Sequence, residues 1–329
     1  MTTVLPSVAV LELTYRCNHC CRFCSCPWFG GMMPQGQELS IDEWQRLINE
    51  LSAAGVRQFS FSGGEALLKE GCMELLGFAS ERALVGLLSN GRLVTEDVIR
   101  FCAERGIRLS VSMPGFNSYA ANTDSDTSIK HILGIFTKAK ILGCTTTVGI
   151  AVTKLNLPEL YETISAALIA GADSLLLNRF LPGGRGLSHP ELLLSAKDVL
   201  RAADIAEEVL SRAKRHGTFG TEMPACLIDR SRYHYLNAMT GCSAATRFFV
   251  IGPNGMIRVC NHSPVEILHW TEWRRLTECE EWMHYVRHDY LPKECIGCGQ
   301  ARECLGGCRE AARVFSGSPT NPDPLFASP

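Results

Sequence analysis

The chain has 329 residues, of which 46% are hydrophobic, and a formal net charge of −2. A chain of this length can bury one large core or several smaller ones, and roughly two domains are expected. Its Lys and Arg residues are scattered rather than gathered into a basic run, which disfavours nucleic acid as a partner. No stretch reaches the length of a membrane span, and the first six residues lack the basic start of a signal peptide. We therefore expect a cytoplasmic protein.

Sixteen cysteines are many for such a protein. In a reducing compartment disulfides are rare, and clustered thiols usually bind metal or take part in chemistry. One group lies within 17–26 and a second within 242–308. Three others stand alone in apolar or helical contexts, which is typical of core packing; they are Cys72, Cys102 and Cys144.

Strand-like and helix-like runs alternate over residues 1–217, which is the pattern of a parallel α/β sheet. Six strands are predicted, at 8–13, 57–62, 84–89, 108–113, 145–152 and 174–180. Helices fill the intervals. A capping box at 40–43 opens the first of them, Asn156 opens a helix that ends at Gly171, and Ser195 opens a long helix that runs to Gly217.

A short cysteine-rich loop follows the first predicted strand directly. Three of its thiols have the spacing Cys-x3-Cys-x2-Cys, and these are Cys17, Cys21 and Cys24. Three thiolates can bind three corners of a [4Fe–4S] cluster and leave the fourth iron open to another ligand. A structural zinc ion or an ordinary cysteine-rich loop is the alternative. Cys20 and Cys26 fall outside this spacing and are interpreted as bystanders.

This spacing, with the aromatic Phe23 before the last cysteine, resembles the radical S-adenosylmethionine (radical SAM) family. The resemblance covers roughly residues 8–217 and implies a (β/α)6 partial TIM barrel that is open on one side. It also implies that SAM binds the open iron of the cluster. One electron from the cluster then cleaves SAM to methionine and a 5′-deoxyadenosyl radical, which abstracts hydrogen from a substrate carbon.

Ligands of parallel sheets bind beyond the carboxyl ends of the strands. There, after the second predicted strand, stand Gly63, Gly64 and Glu65, which by themselves are typical of a tight turn. In this place they resemble the glycine-rich motif with which the family holds the amino group of SAM. Glycines let the backbone approach a ligand closely, and a carboxylate can receive an ammonium group.

The same resemblance places further residues against the ribose and carboxylate of SAM, namely Ser89, Asn90 and Ser112. Pro114 stands where many relatives have an acidic residue, so no carboxylate is expected there. Arg179, at the end of the sixth strand, is predicted to bind the SAM carboxylate in preference to Arg185. A solvated surface position is the alternative for both arginines.

The last third of the chain has a second cysteine pattern, Cys-x12-Gly-x4-Cys and then Cys-x2-Cys-x5-Cys-x3-Cys. The second half of this pattern alone could bind zinc. Together with the N-terminal motif it resembles the SPASM extension of radical SAM proteins, which carries auxiliary [4Fe–4S] clusters. The chain then divides into a radical SAM domain at 1–217 and a SPASM domain at 218–329. One or two auxiliary clusters are implied, the first bound by Cys242, Cys260 and Cys308, and the second by Cys295, Cys298 and Cys304.

Each set lacks a fourth cysteine of the usual pattern. No cysteine follows Cys308, so the second cluster is open, takes a ligand such as Asp323, or is absent. For the first cluster the predicted replacement is Cys226. Alternatively, the Cys226 thiol donates a hydrogen atom to the substrate radical, as an unligated cysteine does in some radical SAM epimerases.

The resemblance implies an enzyme that modifies a ribosomally made peptide by crosslinking, epimerisation or oxidation. A dehydrogenase, epimerase or decarboxylase for a small molecule such as a sugar is the alternative. An iron–sulfur electron carrier is disfavoured by the three-thiol set, and a zinc-binding interaction module is a third possibility. One implied partner is a reductant such as flavodoxin or ferredoxin. Because the first cluster cysteine is already residue 17, a peptide substrate is expected to need a separate leader-binding protein or to be recognised by the SPASM part itself.

Overall fold

A computed structural model describes residues 5–28 and 37–326. The predicted absence of a signal peptide concerns the first six residues, and residues 1–4 of these lie outside the described residues. Within the described ranges ten strands form one sheet: β1 (Val8–Glu12), β2 (Gln58–Ser62), β3 (Leu84–Ser89), β4 (Arg108–Ser112), β5 (Thr146–Val152), β6 (Ser174–Arg179), β7 (His216–Phe219), β8 (Leu236–Ala238), β9 (Phe248–Ile251) and β10 (Ile257–Arg258). Their order across the sheet is β10-β9-β1-β2-β3-β4-β5-β6-β7-β8.

The first six strands are parallel neighbours and confirm the six predicted strands, with bounds that differ by at most one residue. Helices connect them, as the partial TIM barrel requires. The α-helices are α1 (Ile41–Ala53), α2 (Cys72–Ser80), α3 (Glu96–Glu104), α4 (Tyr119–Thr123), α5 (Ile129–Leu142), α6 (Leu160–Ala170), α7 (Ala196–Ala213), α8 (Glu280–Val286), α9 (Ala301–Cys304) and α10 (Arg309–Ser316). Short 3₁₀ helices lie at Ala66–Leu68, Leu157–Glu159, Gly184–Ser188, Pro190–Leu192, Arg230–Arg232, Trp270–Glu278 and Lys293–Cys295.

The helix α1 shows how the sequence produces these layers. Ser40 and Glu43 form the predicted capping box, which satisfies backbone N–H groups at the start of the helix. Its apolar residues recur at helical spacing and are fully buried, and these are Trp44, Leu47, Ile48 and Leu51. The helix thus covers one face of the sheet and keeps its polar face in water.

The predicted end of α7 at Gly217 is wrong. The helix ends at Ala213, because Lys214 adopts a left-handed conformation with φ of +51° and reverses the chain. Gly217 instead lies in β7, where an added Cβ would come within 3.0 Å of Leu175 on the neighbouring strand. The strand is short and contains a glycine, so it gives little periodic signal.

The C-terminal part of the chain continues the same sheet at both edges. The strands β7 and β8 extend it beyond β6, while β9 pairs in parallel with β1. Arg258 of β10 is buried and forms an ion pair with Glu12 of β1. The predicted boundary between residues 217 and 218 lies within β7, and the division into two domains stays a prediction. Among the described residues, no helix is long and apolar enough to cross a membrane.

Candidate active site

The cysteine-rich loop lies at the carboxyl end of β1 and is held by the turn that follows β2. The backbone N–H of Gly64 donates to the Thr14 carbonyl at 2.7 Å, and that of Glu65 donates to the Arg16 carbonyl at 2.9 Å. An added Cβ would lie 2.3 Å from the Thr14 oxygen at Gly63, whose φ is +131°, and 2.3 Å from the Arg16 oxygen at Gly64. Both glycines therefore serve the close approach of two backbone segments, which positions the loop.

The helix α4 supports a second side of the loop. The backbone N–H of Cys20 donates to the Thr123 carbonyl at 3.2 Å, and that of Arg22 donates to the Asn122 carbonyl at 3.0 Å. Asn122 is itself fully buried, and its side-chain amide donates to the Pro114 carbonyl at 2.8 Å. The loop that follows β4 is thereby connected to the cysteine loop.

A third side of the loop contacts the glycine-rich segment after β6. The backbone N–H of Gly186 donates to the Cys24 carbonyl at 3.0 Å, and Arg185 donates from Nη1 to the Cys21 carbonyl at 3.4 Å. Gly184 has a φ of +47°, and an added Cβ there would lie 1.8 Å from the Cys26 carbonyl oxygen. Only glycine fits at that position, and Arg185 is placed beside the thiols.

All sixteen cysteines are free thiols. Within the loop Cys17 is exposed, while Cys21 and Cys24 are half-buried. Burial and the neighbouring Cys24 and Cys17 thiols raise the pKa of Cys21. The three thiols lie on one loop close enough for their charges to influence one another, and their binding of a [4Fe–4S] cluster with an open iron stays a prediction.

Three other predicted residues form one hydrogen-bonded unit beside Cys17. The buried Glu65 carboxylate accepts from the Ser89 hydroxyl at 3.0 Å and from the Asn90 backbone N–H at 2.8 Å, and burial raises the pKa of Glu65. The Asn90 side-chain amide lies 3.8 Å from the Cys17 sulfur and donates to Asn18 Oδ1 at 2.7 Å. This unit therefore positions the turn after β3 on the cysteine loop. That Glu65, Ser89 and Asn90 contact SAM stays a prediction.

The predicted contact of Ser112 with SAM and the predicted contribution of Phe23 to cofactor binding also stay predictions. Ser112 is exposed at the carboxyl end of β4, and Phe23 is half-buried in the cysteine loop. Both therefore lie on the side of the sheet where ligands of parallel barrels bind.

Arg179 lies at the end of β6 as predicted, but its side chain contacts other groups than those predicted. Its guanidinium is buried, with Nη1 donating to Asp323 Oδ1 at 3.0 Å and Nη2 donating to the Glu222 carbonyl at 3.0 Å. Nη2 also donates to Asp323. Since both terminal nitrogens are already bound inside the protein, the predicted contact with the SAM carboxylate does not fit this arrangement. Arg185, in contrast, donates to the Cys21 carbonyl of the cysteine loop.

Asp323, which the sequence offers as a ligand of the second auxiliary cluster, does not fit that assignment either. Besides Arg179, its carboxylate accepts from the backbone N–H groups of Cys308 and Leu325, each at 2.9 Å. The carboxylate is completely buried and both of its oxygens are bound. It therefore orients the segment that carries Cys308.

The first predicted auxiliary set, Cys242, Cys260 and Cys308, is buried. Glu222 lies near two of these thiols, Cys242 and Cys308. Burial and the nearby Glu222 raise the pKa of Cys242 to about 12. Glu222 accepts from the Ser243 backbone N–H at 3.1 Å, and the His262 backbone N–H lies 3.5 Å from the Cys260 sulfur. Sequence reasoning missed Glu222, because its position at the carboxyl end of β7 is evident only when that strand is recognised.

The second predicted set contains two buried thiols, Cys295 and Cys304, and the exposed Cys298. Cys226 is exposed and lies beside this set, since the backbone N–H of its neighbour Ala225 donates to the Cys304 sulfur at 3.1 Å. That Cys226 completes the first set stays a prediction, because the turn that carries it also packs against Gly307, the neighbour of Cys308 in that set.

A loop of three free thiols at the carboxyl end of the first strand of a parallel α/β sheet is the arrangement typical of radical SAM enzymes. Residues 11–167 match the family model of the Radical SAM superfamily, so the chain contains a radical SAM domain. The family uses a [4Fe–4S] cluster together with SAM. That the thiols of Cys17, Cys21 and Cys24 bind this cluster stays a prediction.

Comparisons with individual proteins extend the similarity over almost the whole chain. A PqqA peptide cyclase of Granulibacter bethesdensis is 25% identical over 99% of this chain and 89% of its own length. Streptococcus suis SuiB bound to the precursor peptide SuiA has a TM-score of 0.74 at 16% identity, covering 98% of this chain and 76% of SuiB. Native anSMEcpe with bound AdoMet has a TM-score of 0.75 at 15% identity, covering 97% of this chain and 94% of that protein. The two structures show the shared fold.

Proposed function

We propose that this radical SAM enzyme modifies a ribosomally made peptide by abstracting hydrogen from one of its carbons. The observation that carries the proposal is the similarity to PqqA peptide cyclase, which spans nearly all of both chains. The fold shared with SuiB, whose structure holds a precursor peptide, supports the same substrate class. The modification is a crosslink, an epimerisation or an oxidation.

The cysteine loop holds the reactive cofactor in this proposal. With SAM at its open iron, a [4Fe–4S] cluster supplies the electron that cleaves SAM and so begins hydrogen abstraction. The protein orients the loop from three sides, through the turn after β2, helix α4 and the segment 183–186. Asn90 positions Cys17, and Ser112 presents a hydroxyl at the open end of the barrel.

A cavity beside β8 and the segment that precedes it offers room for part of a substrate, and its lining contains no residue of the cysteine loop. The cavity has a volume of about 710 Å³, and its lining includes Asp229, Arg230, Asn237 and Glu303. Its volume is within the range of about 300–1,000 Å³ that is usual for ligand sites. Carboxylate, guanidinium and amide groups on one wall suit the polar backbone and side chains of a peptide.

We further propose that residues 218–329 form a SPASM domain with two auxiliary clusters, bound by the two C-terminal thiol sets. The first set is buried within this part of the chain, and the second lies nearer its surface. Clusters held by these thiols would supply an acceptor for the electron that remains after hydrogen abstraction, which suits a net oxidation. A reductant of the flavodoxin or ferredoxin type, a separate leader-binding protein and a cytoplasmic location stay predictions.

The test uses the full chain, reconstituted anaerobically with iron and sulfide. It is given SAM, dithionite and a fully deuterated peptide encoded by a short reading frame beside its gene. We expect 5′-deoxyadenosine that carries deuterium, and a peptide of changed mass. Deuterium transfer from a deuterated sugar but from none of the neighbouring peptides would instead establish the small-molecule alternative.

A further inference from the structure

We propose that the free edge of strand β8 binds an extended segment of the peptide substrate as an additional strand, away from the residue that loses hydrogen. The inference rests on the proposed function and specifies how the same substrate class is recognised. The strand consists of Leu236, Asn237 and Ala238, and it is the last strand at one edge of the sheet. In binding of this kind, backbone hydrogen bonds supply affinity and side-chain contacts supply specificity.

The pairing of β8 with β7 leaves one row of backbone groups pointing outward. The Gly217 N–H donates to the Tyr235 carbonyl at 3.0 Å. The Met239 N–H donates to the Phe219 carbonyl at 3.2 Å. Since every second residue of a strand directs its backbone groups to the same neighbour, those of Ala238 face the free edge. In the described part of the chain, neither the N–H nor the C=O of Ala238 has a hydrogen-bond partner.

The opposite edge of the sheet is already covered. Ile257 of β10 donates its backbone N–H to the Leu268 carbonyl at 2.7 Å, and its own carbonyl accepts from the Ile267 N–H at 2.9 Å. An edge strand with unpaired backbone groups is a template for a further strand. Backbone groups of buried residues such as Ala238 are nearly always paired, so those at the β8 edge require a partner.

The cavity of about 710 Å³ lies along this free edge. All three residues of β8 line it, although side chains of successive strand residues point to opposite faces of a sheet. A space that contacts each residue in turn therefore lies beside the strand rather than on one of its faces. The segment 225–231, Gln300 and Glu303 contribute to its other walls. An added strand thus has room between β8 and these walls.

Two charged side chains on the lining have no ion pair. Arg230 and Glu303 are both exposed, and neither forms a salt bridge within the described ranges. Asp229, in contrast, accepts from the Ser231 backbone N–H at 3.0 Å and from its hydroxyl at 2.7 Å. An available guanidinium binds acidic side chains, and an available carboxylate binds basic ones. The pair therefore adds a sequence preference to backbone pairing that any peptide can make.

The cavity is separate from the place of hydrogen abstraction but opens toward the same end of the sheet. Its lining contains no residue of the cysteine loop, which follows β1. It does include Cys226, which follows β7, and Thr240, which follows β8. Both lie beyond the carboxyl ends of parallel strands, where the cysteine loop also lies. A peptide held along β8 can therefore continue past Thr240 toward the cysteine loop.

The experiment measures how tightly the full chain binds a fluorescein-labelled peptide encoded by a short reading frame beside its gene. Ala238→Pro removes the outward N–H, and an edge strand tolerates proline where the N–H faces outward. We expect the dissociation constant to rise about tenfold, as for the loss of one backbone hydrogen bond. Arg230→Ala should also raise it. Arg232→Ala, an exposed arginine that pairs with Asp204 and does not line the cavity, is the control and should leave it unchanged.

A second measurement separates strand pairing from a loss of folding. Peptides methylated at one backbone nitrogen at a time each lack one N–H. Methylation at the paired position should weaken binding to the unmodified protein, but should add little to the effect of Ala238→Pro, because the two changes remove the same pairing. Effects that simply add would overturn the inference.

A photocrosslinking residue at that peptide position should react with the segment 225–231, and mass spectrometry should find the lost hydrogen at a different residue. A crosslinked residue that is itself the one attacked would overturn the inference. So would affinities of Ala238→Pro and Arg230→Ala equal to that of the unmodified protein, while the proposed function remains intact because the peptide is still modified. An unmodified protein that neither binds nor modifies any neighbouring peptide would overturn the proposed function, and this inference with it.

Discussion

The Arg179 guanidinium at the end of β6 and the Asp323 carboxylate near the C-terminus form a buried, two-fold hydrogen-bonded ion pair. The two residues are 144 positions apart in the sequence. Asp323 also binds the backbone of Cys308, so the pair connects the barrel to one proposed cluster ligand. The ion pair thus has a structural role in assembling the C-terminal part.

We expect Asp323→Asn to lower the free energy of unfolding by about 3–5 kcal/mol, because it leaves the Arg179 charge buried without its partner. Denaturant unfolding of the metal-free protein measures this change. Glu278→Gln is the matched control, since Glu278 pairs with Arg275 at the surface and is expected to contribute little. A change in Asp323→Asn as small as that of the control would contradict the structural role.

Glu159 provides a pH-dependent prediction. Its carboxylate accepts from the backbone N–H groups of Phe116, Asn117 and Ser118, and although burial raises its pKa, these bonds and the Ser118 hydroxyl lower it overall. A lowered pKa in the folded state stabilises the protein above the unfolded pKa of about 4.3, and this contribution is lost as the pH falls through the folded value.

Glu159→Gln is therefore expected to cost about 1 kcal/mol at pH 7, a modest figure because the carboxylate is partly exposed. The difference from the unmodified protein should shrink as the pH falls below about 4.3. Unfolding of the metal-free protein at several pH values measures it, with the exposed Glu162→Gln as the control. A difference that is constant with pH would contradict the assigned hydrogen bonds.

The turn after β2 provides a prediction on the cysteine loop. In Gly64→Ala the new methyl group would overlap the Arg16 carbonyl, so the loop must move. We expect a loss of about 1–3 kcal/mol in the free energy of unfolding and reduced formation of 5′-deoxyadenosine.

Gly134→Ala is the matched control for this change. Gly134 lies within α5 with no atom within 4 Å of an added Cβ, and its substitution should stabilise the protein by about 0.5–1 kcal/mol without affecting activity. Equal stability and equal activity of the two variants would show that the close approach at Gly64 does not position the loop.

Much of the barrel could be predicted because its signals are local. The six parallel strands have apolar residues in continuous or alternating runs, and several of the helices between them have capping residues and periodic apolar faces. The strands β7 to β10 have two to four residues each, too few for a periodic pattern. Their absence from the prediction also hid the turn that carries Cys226.

The candidate site was predictable where spacing along the chain determines it. The loop thiols and Glu65, Ser89 and Asn90 come together as expected, because each follows a neighbouring strand. The partner of Arg179 was not predictable, since it depends on where the C-terminal segment returns to the barrel. Glycines 63 and 64 were recognised as important, but their backbone contacts with residues 14 and 16 are visible only in the structure.

The central claim is that Cys17, Cys21 and Cys24 hold a cluster that cleaves SAM. The measurement is the formation of 5′-deoxyadenosine from SAM and dithionite by the anaerobically reconstituted protein. We expect the product from the unmodified protein and from Cys20→Ala, whose exposed thiol is adjacent to Cys21 but outside the spacing. We expect none from the variant with all three cysteines changed to Ala, and an undiminished yield from that variant would contradict the claim.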